Sequence, residues 1–473
     1  MPKRTIEIPE GLAGFGEAVE AMLKDLKKFQ TEAAKDGAPV DFAAFSEALE
    51  KNSAAARLEL KRRALQELDV DAERITSNQK PHARVGRYEA AYFTKEGPVT
   101  VMRSLYRECG QRNAKTVDAI SLRAGAVDGW LPDAAKPAAF LLQQGTSREA
   151  ESTARALGVL PYSRCSFERV AHKVGEMHAL VRADVEKHLI ADYRLPARAR
   201  SISISLDRVA VPMEEPRPRT VGRPRADAPK RPISRVWHMA FVATLTLHDA
   251  QGDALHTIRY GRMPGLGANG LLDSMLADAK VLLQKRPSLA VVLLCDGAKE
   301  MVDLLDGTFN RVSLGIELHR LVDFWHVAEK LGAAASVIFG ATASAVLHRW
   351  KGLLLNSPGA HGRILDELYA SGKRDVHVGD ERPVHAAITY LHNQGARMGF
   401  ARARAAGLPI GSGNVEATCK SLIGQRLVRS GSRWQEATGQ HIIDLRALAL
   451  SDRFDAAIAL TLAPLRAEVR AAA

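Results

Sequence analysis

Three acidic residues of this 473-residue chain stand where phosphoryl transfer on a polyanion would need them, although they lie far apart in sequence. Glu416 falls in the first turn of a helix introduced by Gly411-Ser412-Gly413, and Lys420, Arg426, Arg429, Arg433 and Trp434 follow where a polyanion could lie across them. Asp207 interrupts an alternating apolar stretch, where a charge is costly without a partner or ligand. Asp296 directly follows the apolar run 289–295, at the carboxyl end of a predicted strand, where open α/β sheets hold their ligands. Carboxylates converging from separate elements suit two-metal phosphoryl transfer. One ion raises the nucleophilicity of water or a 3′-hydroxyl and the other stabilises the leaving oxygen. Mg2+ (or Mn2+) takes such hard oxygen ligands and keeps several waters, so a few side chains suffice.

Each residue also has a plainer explanation. A Glu in a first helical turn is favoured by the macrodipole by roughly 0.3–1 kcal/mol, an outward Asp at a strand end costs little, and Asp296-Gly297 is an ordinary turn or helix N-cap. The joint order of strand, strand and late helix in one basic chain is what favours the chemical reading. Asp323-Phe324-Trp325-His326 is a second landmark, at a strand end and helix start. His326 suits a hydrogen bond to a carboxylate ligand or a phosphate. Asp323 either caps the helix or approaches the metals. Glu300, one turn after Asp296, is either a further ligand or a surface residue.

The elements that must position these residues follow from periodicity. Residues 1–80 read as helical, a packing or dimerisation element, and 81–113 as a β-hairpin around Glu96-Gly97-Pro98. Residues 114–195 are helical. Thr146-Ser147-Arg148-Glu149 has capping-box spacing, its helix should end at Gly158, and the next carries Phe167, Val170, Val174 and Met177 on one face. The pair suits a DNA-reading helix-turn-helix or an ordinary bundle. Residues 196–330 give strand-strand-strand-helix-strand, then a helix and a strand ending at Asp323: an α/β sheet with an antiparallel meander, the order of an RNase H-like domain. Residues 331–406 read as a helical insertion and 407–473 as the last part of the core with C-terminal helices. Between the first two strands, prolines make the segment holding Arg223 and Arg225 an exposed arm, suited to a narrow minor groove or to a solvated basic linker.

Composition bounds the partner. Lys and Arg number 66 against 54 Asp and Glu, a net charge of +12, which favours an acidic partner and puts nucleic acid first. A hydrophobic content of 46% is that of a globular protein, and the length implies two or three domains. Four scattered cysteines give neither a disulfide framework nor a zinc knuckle, which suggests reduced thiols in a cytosol. No signal peptide is evident and no apolar run approaches a membrane span, so a cytoplasmic, nucleoid-associated location without membrane contact is expected.

Together Asp207-Arg208-Val209, Cys295-Asp296-Gly297-Ala298-Lys299-Glu300, Asp323-Phe324-Trp325-His326 and Gly411-Ser412-Gly413-Asn414-Val415-Glu416 through Arg433-Trp434 resemble the DDE transposases of bacterial insertion sequences, most closely the ISKra-type group. The resemblance spans roughly residues 88–450, with the motifs in the family's order. It implies an RNase H-like catalytic core interrupted by an all-helical insertion. Asp207, Asp296 and Glu416 take the acidic, metal-holding places, and Asp323 with His326 forms an Asp-x-x-His signature. The implied reaction is Mg2+-dependent hydrolysis at the element's ends, then attack of the freed 3′-hydroxyl on target DNA, by a homodimer or higher homo-oligomer bound to terminal inverted repeats. Two departures stand out. Cys109 is single where family members often carry Cys-x-x-Cys, which speaks against zinc, and Ile423 occupies a position that is basic in some relatives, leaving Lys420 as the substitute phosphate contact. The alternative is an inactive or domesticated DNA-binding regulator, and an RNase H-like nuclease unconnected with mobile elements is a third class.

Overall fold

The computed structural model describes residues 7–35, 37, 39–111, 113–214 and 235–472, so the arm with Arg223 and Arg225 lies outside the described residues. It is a mixed α/β structure with two five-stranded sheets and many helices, divided into two compact units, Met1–Arg182 with Ile458–Ala473, and Ala183–Ala457.

In the first unit, helices Ala13–Ala33 and Phe42–Gln66 pack together; Asp41 caps the second by accepting the Ala44 N–H at 2.9 Å. The hairpin consists of β2 (Lys80–Thr94) and β3 (Gly97–Glu108), preceded by β1 (Arg74–Ser77) and followed by β4 (Thr116–Asp118). Thr146 and Glu149 form the capping box of helix Ser147–Ala156, and Gly158 takes φ +64° just beyond it, as that spacing leads one to expect. Helix Arg164–Asp192 follows, burying Phe167, Val170 and Val174. The chain's end differs from expectation. Instead of completing the second unit, strand Val469–Ala471 pairs antiparallel with β1, so part of 407–473 belongs to the first unit.

In the second unit the alternating stretch is β5 (Ser201–Glu214), followed by β6 (Arg235–His248), β7 (Ala254–Arg262), β8 (Ala290–Cys295) and β9 (Leu318–Val322). The sheet order is β7-β6-β5-β8-β9, antiparallel across β7-β6-β5 and parallel across β5-β8-β9. β8 has apolar layers on both faces, which is why it reads as a continuous apolar run. Leu271, Met275 and Leu282 of helix Asn269–Lys285 share one core with Ile202, Ile204, Val291 and Leu293, and Val292 and Leu294 lie in another with Leu321, Ala403 and Leu408.

Helices Phe324–Phe339, Ala343–Asn356, Ala360–Ala370 and Pro383–Gln394 share a separate core around Trp350, Leu331, Ile364 and Ile388. The expectation of no span-length apolar run needs correction here, because Phe324–Asn356 is helical, 33 residues long and apolar enough to cross a membrane by length and composition. Its Phe324, Val327, Leu331, Trp350 and Leu354 are core residues of the insertion, with Val346 and Leu347 packed against them.

Candidate active site

The sheet register brings the two aspartates to one end. Ile204 of β5 pairs with Leu293 of β8, and Asp207 and Asp296 each lie three residues further along these parallel strands. β5 parts from β8 after Ile204 and continues alongside β6 alone, which opens a gap at the β8 end. A cleft of about 310 Å3 occupies it, lined among others by Asp207, Asp296, His326, Glu416, Cys419 and Lys420. The three carboxylates named from sequence therefore line one cleft.

Each is held locally. Asp296 Oδ1 accepts the Ala298 N–H at 2.9 Å, closing a turn. Asp207 Oδ1 accepts the Arg208 N–H at 2.6 Å, and Asp207 Oδ2 accepts the Cys419 thiol at 3.5 Å. Burial first, then the Asp207 charge, pushes the Cys419 thiol well up, so it stays a protonated donor. Glu416 lies in helix Gly413–Thr418, which runs directly into a π-helical turn, Cys419–Gly424. The widened turn buries Cys419, Leu422 and Ile423 while leaving Lys420 exposed at the cleft. Such π-bulges recur at functional sites because they re-aim side chains within a helix.

Asp323 is fully buried and joins three segments. Its Oδ1 accepts the N–H groups of Trp325 at 2.6 Å and His326 at 2.9 Å, capping helix Phe324–Phe339, and its Oδ2 accepts the Ser412 N–H in the turn before Glu416. Its own N–H donates to Cys295 at 2.8 Å, next to Asp296. Burial alone would raise its pKa, but the bonds from His326 and Ser412 outweigh this and hold it at about 2. His326 Nδ1 lies 3.5 Å from Asp323 Oδ1 and 3.6 Å from Glu416 Oε1. The bond to Asp323 raises the imidazole to about 8 against the opposing effect of burial, with Glu416 and Asp296 adding attraction, so it is cationic at neutral pH.

Asp207, Asp296 and Glu416 offer hard oxygen donors on one cleft, which fits Mg2+ or Mn2+. A second grouping, Asp323, His326 and Glu416, places its donor atoms within 4.8 Å of one another. It fits a hard cation poorly. Asp323 spends its oxygens on backbone N–H groups, and the imidazole favours its proton. Asp323 is therefore an anchor of the site. Glu300 pairs with Arg208.

The cations after Glu416 divide. Lys420 and Arg433 are exposed, and half-buried Arg429 donates from Nε to the Gln425 carbonyl at 2.9 Å. Arg426 corrects the expectation of a strand contact, since it is only 5% exposed and its guanidinium lies 5.0 Å over the Trp434 ring. Trp434 is engaged likewise. Its Nε1 donates to Leu427 at 3.0 Å, and its backbone pairs with Pro212 and Glu214 at the end of β5. The Trp434 contacts are those of packing. Arg426→Ala should lower the thermal midpoint, costing about 1–3 kcal/mol through lost packing; an unchanged melting curve would contradict this role.

Sequence reasoning missed Cys419 and Ser412. Cys419 stands three residues after Glu416, so helical spacing alone places it on the same face. Ser412 acts through its backbone N–H, which no side-chain motif reveals.

Fold and site together define an α/β unit with three carboxylates at one end of its sheet. No protein-family model matches the chain, and no curated protein does. Among solved structures it is similar to one described as "Mos1 transposase paired-end complex with left transposon end", at 14% identity over 58% of this chain and 77% of that one. The TM-score is 0.15.

Proposed function

We propose that the chain is a DDE transposase that cleaves DNA at insertion-sequence ends and joins the freed 3′-hydroxyl to target DNA. The observation that carries this is the meeting of Asp207, Asp296 and Glu416 in one cleft, although the helical insertion separates Glu416 from the others in sequence. The sheet order, an antiparallel meander joined through β5 to two parallel strands, supports an RNase H-like catalytic unit. The resemblance of the four motifs points the same way.

Asp207, Asp296 and Glu416 would hold Mg2+ or Mn2+, which when bound supplies activation of the attacking oxygen and stabilisation of the leaving one. The chain's own residues orient and balance charge. The His326 imidazolium sits between Asp323 and Glu416, bonded to the first and attracting the second by charge, which steadies Glu416 against rotation. Ser412 Oγ, 3.4 Å from Glu416 Oε1, adds to this. Lys420, exposed and lining the cleft, is the cation for a scissile phosphate there, and exposed Arg433 extends the basic track. The proposed partners are terminal-repeat DNA and target DNA, with a second copy of the chain, in the cytoplasm.

Incubation with Mg2+ and DNA carrying the element's terminal repeats tests the reading. Nicked ends and strand-joined products are expected. A shifted band with no nick would favour a DNA-binding regulator, and cutting without joining an unconnected nuclease. Lys420→Ala should weaken DNA binding at all sequences and reduce the slope of log affinity against log salt by about 1, with the thermal midpoint unchanged. An unaltered slope would remove Lys420 from the phosphate track.

A further inference from the structure

We propose that the insertion helix Pro383–Gln394 belongs to the active site, with Tyr390 and Gln394 as positioning residues that set the Asp296 carboxylate. The inference rests on the reading of Asp296 as a metal ligand. Tyr390 and Gln394 lie four residues apart, on one helix face. The Tyr390 hydroxyl donates to the Asp296 carbonyl at 2.7 Å, and Gln394 Nε2 donates to the next carbonyl, Gly297, at 2.9 Å. Two consecutive carbonyls that leave the sheet at the end of β8 are thus each taken by a side chain of the insertion.

The turn is shaped for that contact. Gly297 has φ +87°, and a Cβ there would meet the Tyr390 hydroxyl oxygen at 2.9 Å, so backbone conformation and space both require glycine. Inside the turn, Asp296 Oδ1 accepts the Ala298 N–H, so the carbonyls that Tyr390 and Gln394 hold and the carboxylate share one small hydrogen-bonded loop. Rotating either peptide moves the carboxylate. Tyr390 is itself fixed, with Lys330 Nζ 5.3 Å over its ring. A second tie supports the arrangement: Arg397, just after this helix, pairs with Asp306 of helix Lys299–Thr308, and Asp306 also accepts from Arg320 of β9 at 3.0 Å. Apolar packing would suffice to seat an inert insertion. Two polar side chains aimed at the peptides beside a ligand residue do more, because they make the geometry of Asp296 depend on the insertion being in place.

The test compares wild type with Tyr390→Phe, Gln394→Leu and the double variant. Amide hydrogen exchange in the 296–299 turn is expected to speed up about tenfold in the double variant, with the thermal midpoint little changed. Mn2+ affinity measured by calorimetry is expected to fall by a similar factor, and the metal concentration for half-maximal cleavage to rise in parallel with little change in rate at saturating metal. Unchanged exchange and unchanged Mn2+ affinity in the double variant would overturn the proposal. So would an equal loss of stability throughout the unit, since that is the mark of packing alone. If wild type binds Mn2+ and the turn responds, yet no DNA is cut, the transposase reading fails while the positioning role stands.

Discussion

Asp207→Asn, Asp296→Asn and Glu416→Gln are each expected to reduce Mg2+-dependent DNA cleavage by on the order of 10^3-fold or more, several kcal/mol of transition-state stabilisation. The substitutions preserve side-chain volume and remove one negative charge, so the cleft keeps its shape and loses a hard donor. Binding of terminal-repeat DNA should stay within about twofold of wild type, because these groups repel phosphate rather than attract it. Single-turnover cleavage with a band-shift measurement on the same samples separates the two effects. Full activity in any one variant would remove that residue from the mechanism. Equal loss of binding and cleavage would point to misfolding instead.

Asp323→Ala should be the most destabilising single change near the cleft, costing about 3–5 kcal/mol, because it strips a buried acceptor from Trp325, His326 and Ser412 at once. Asp323→Asn keeps one carbonyl oxygen and should cost less. The charge gives this a pH signature. Asp323 titrates at about 2 in the fold against 3.8 as its reference, so its ionic contribution, on the order of 2 kcal/mol, is present above about pH 4 and lost as pH falls through 2. His326 runs the other way. Raised from 6.5 to about 8, it stabilises fully below 6.5 and loses that contribution as pH rises through 8. In metal-free urea titrations the gap between wild type and Asp323→Asn should therefore be constant from pH 5 to 6 and narrow below pH 4. A gap independent of pH down to 2 would show that Asp323 is not held as a carboxylate.

The parts of the site that were legible in the sequence are those written in periodicity. Alternation from Ile202 to Val211 marks β5, the run before Asp296 marks a strand buried on both faces, and Asp323 caps the helix that its position suggests. What escaped was set by tertiary contact. Nothing local distinguishes Arg426, buried over Trp434, from Lys420, exposed at the cleft, because both follow Glu416 in a basic segment and the intervening π-turn decides which faces inward. Tyr390 and Gln394 sit in an amphipathic helix whose pattern reports only its own core, while their partners lie on a strand end far earlier in the chain. The pairing of Val469–Ala471 with β1 is likewise a long-range edge contact of three residues, too short to announce itself.

A crystal grown with Mn2+ and measured at a wavelength where manganese scatters anomalously tests the central claim most directly, because it locates the cation without reference to activity. The expected result is anomalous density in the cleft between the carboxylates of Asp207 and Asp296, with Glu416 at or next to the ion, and its loss in Asp296→Asn. Density centred on Asp323, His326 and Glu416 instead, with nothing at Asp207, would contradict the account.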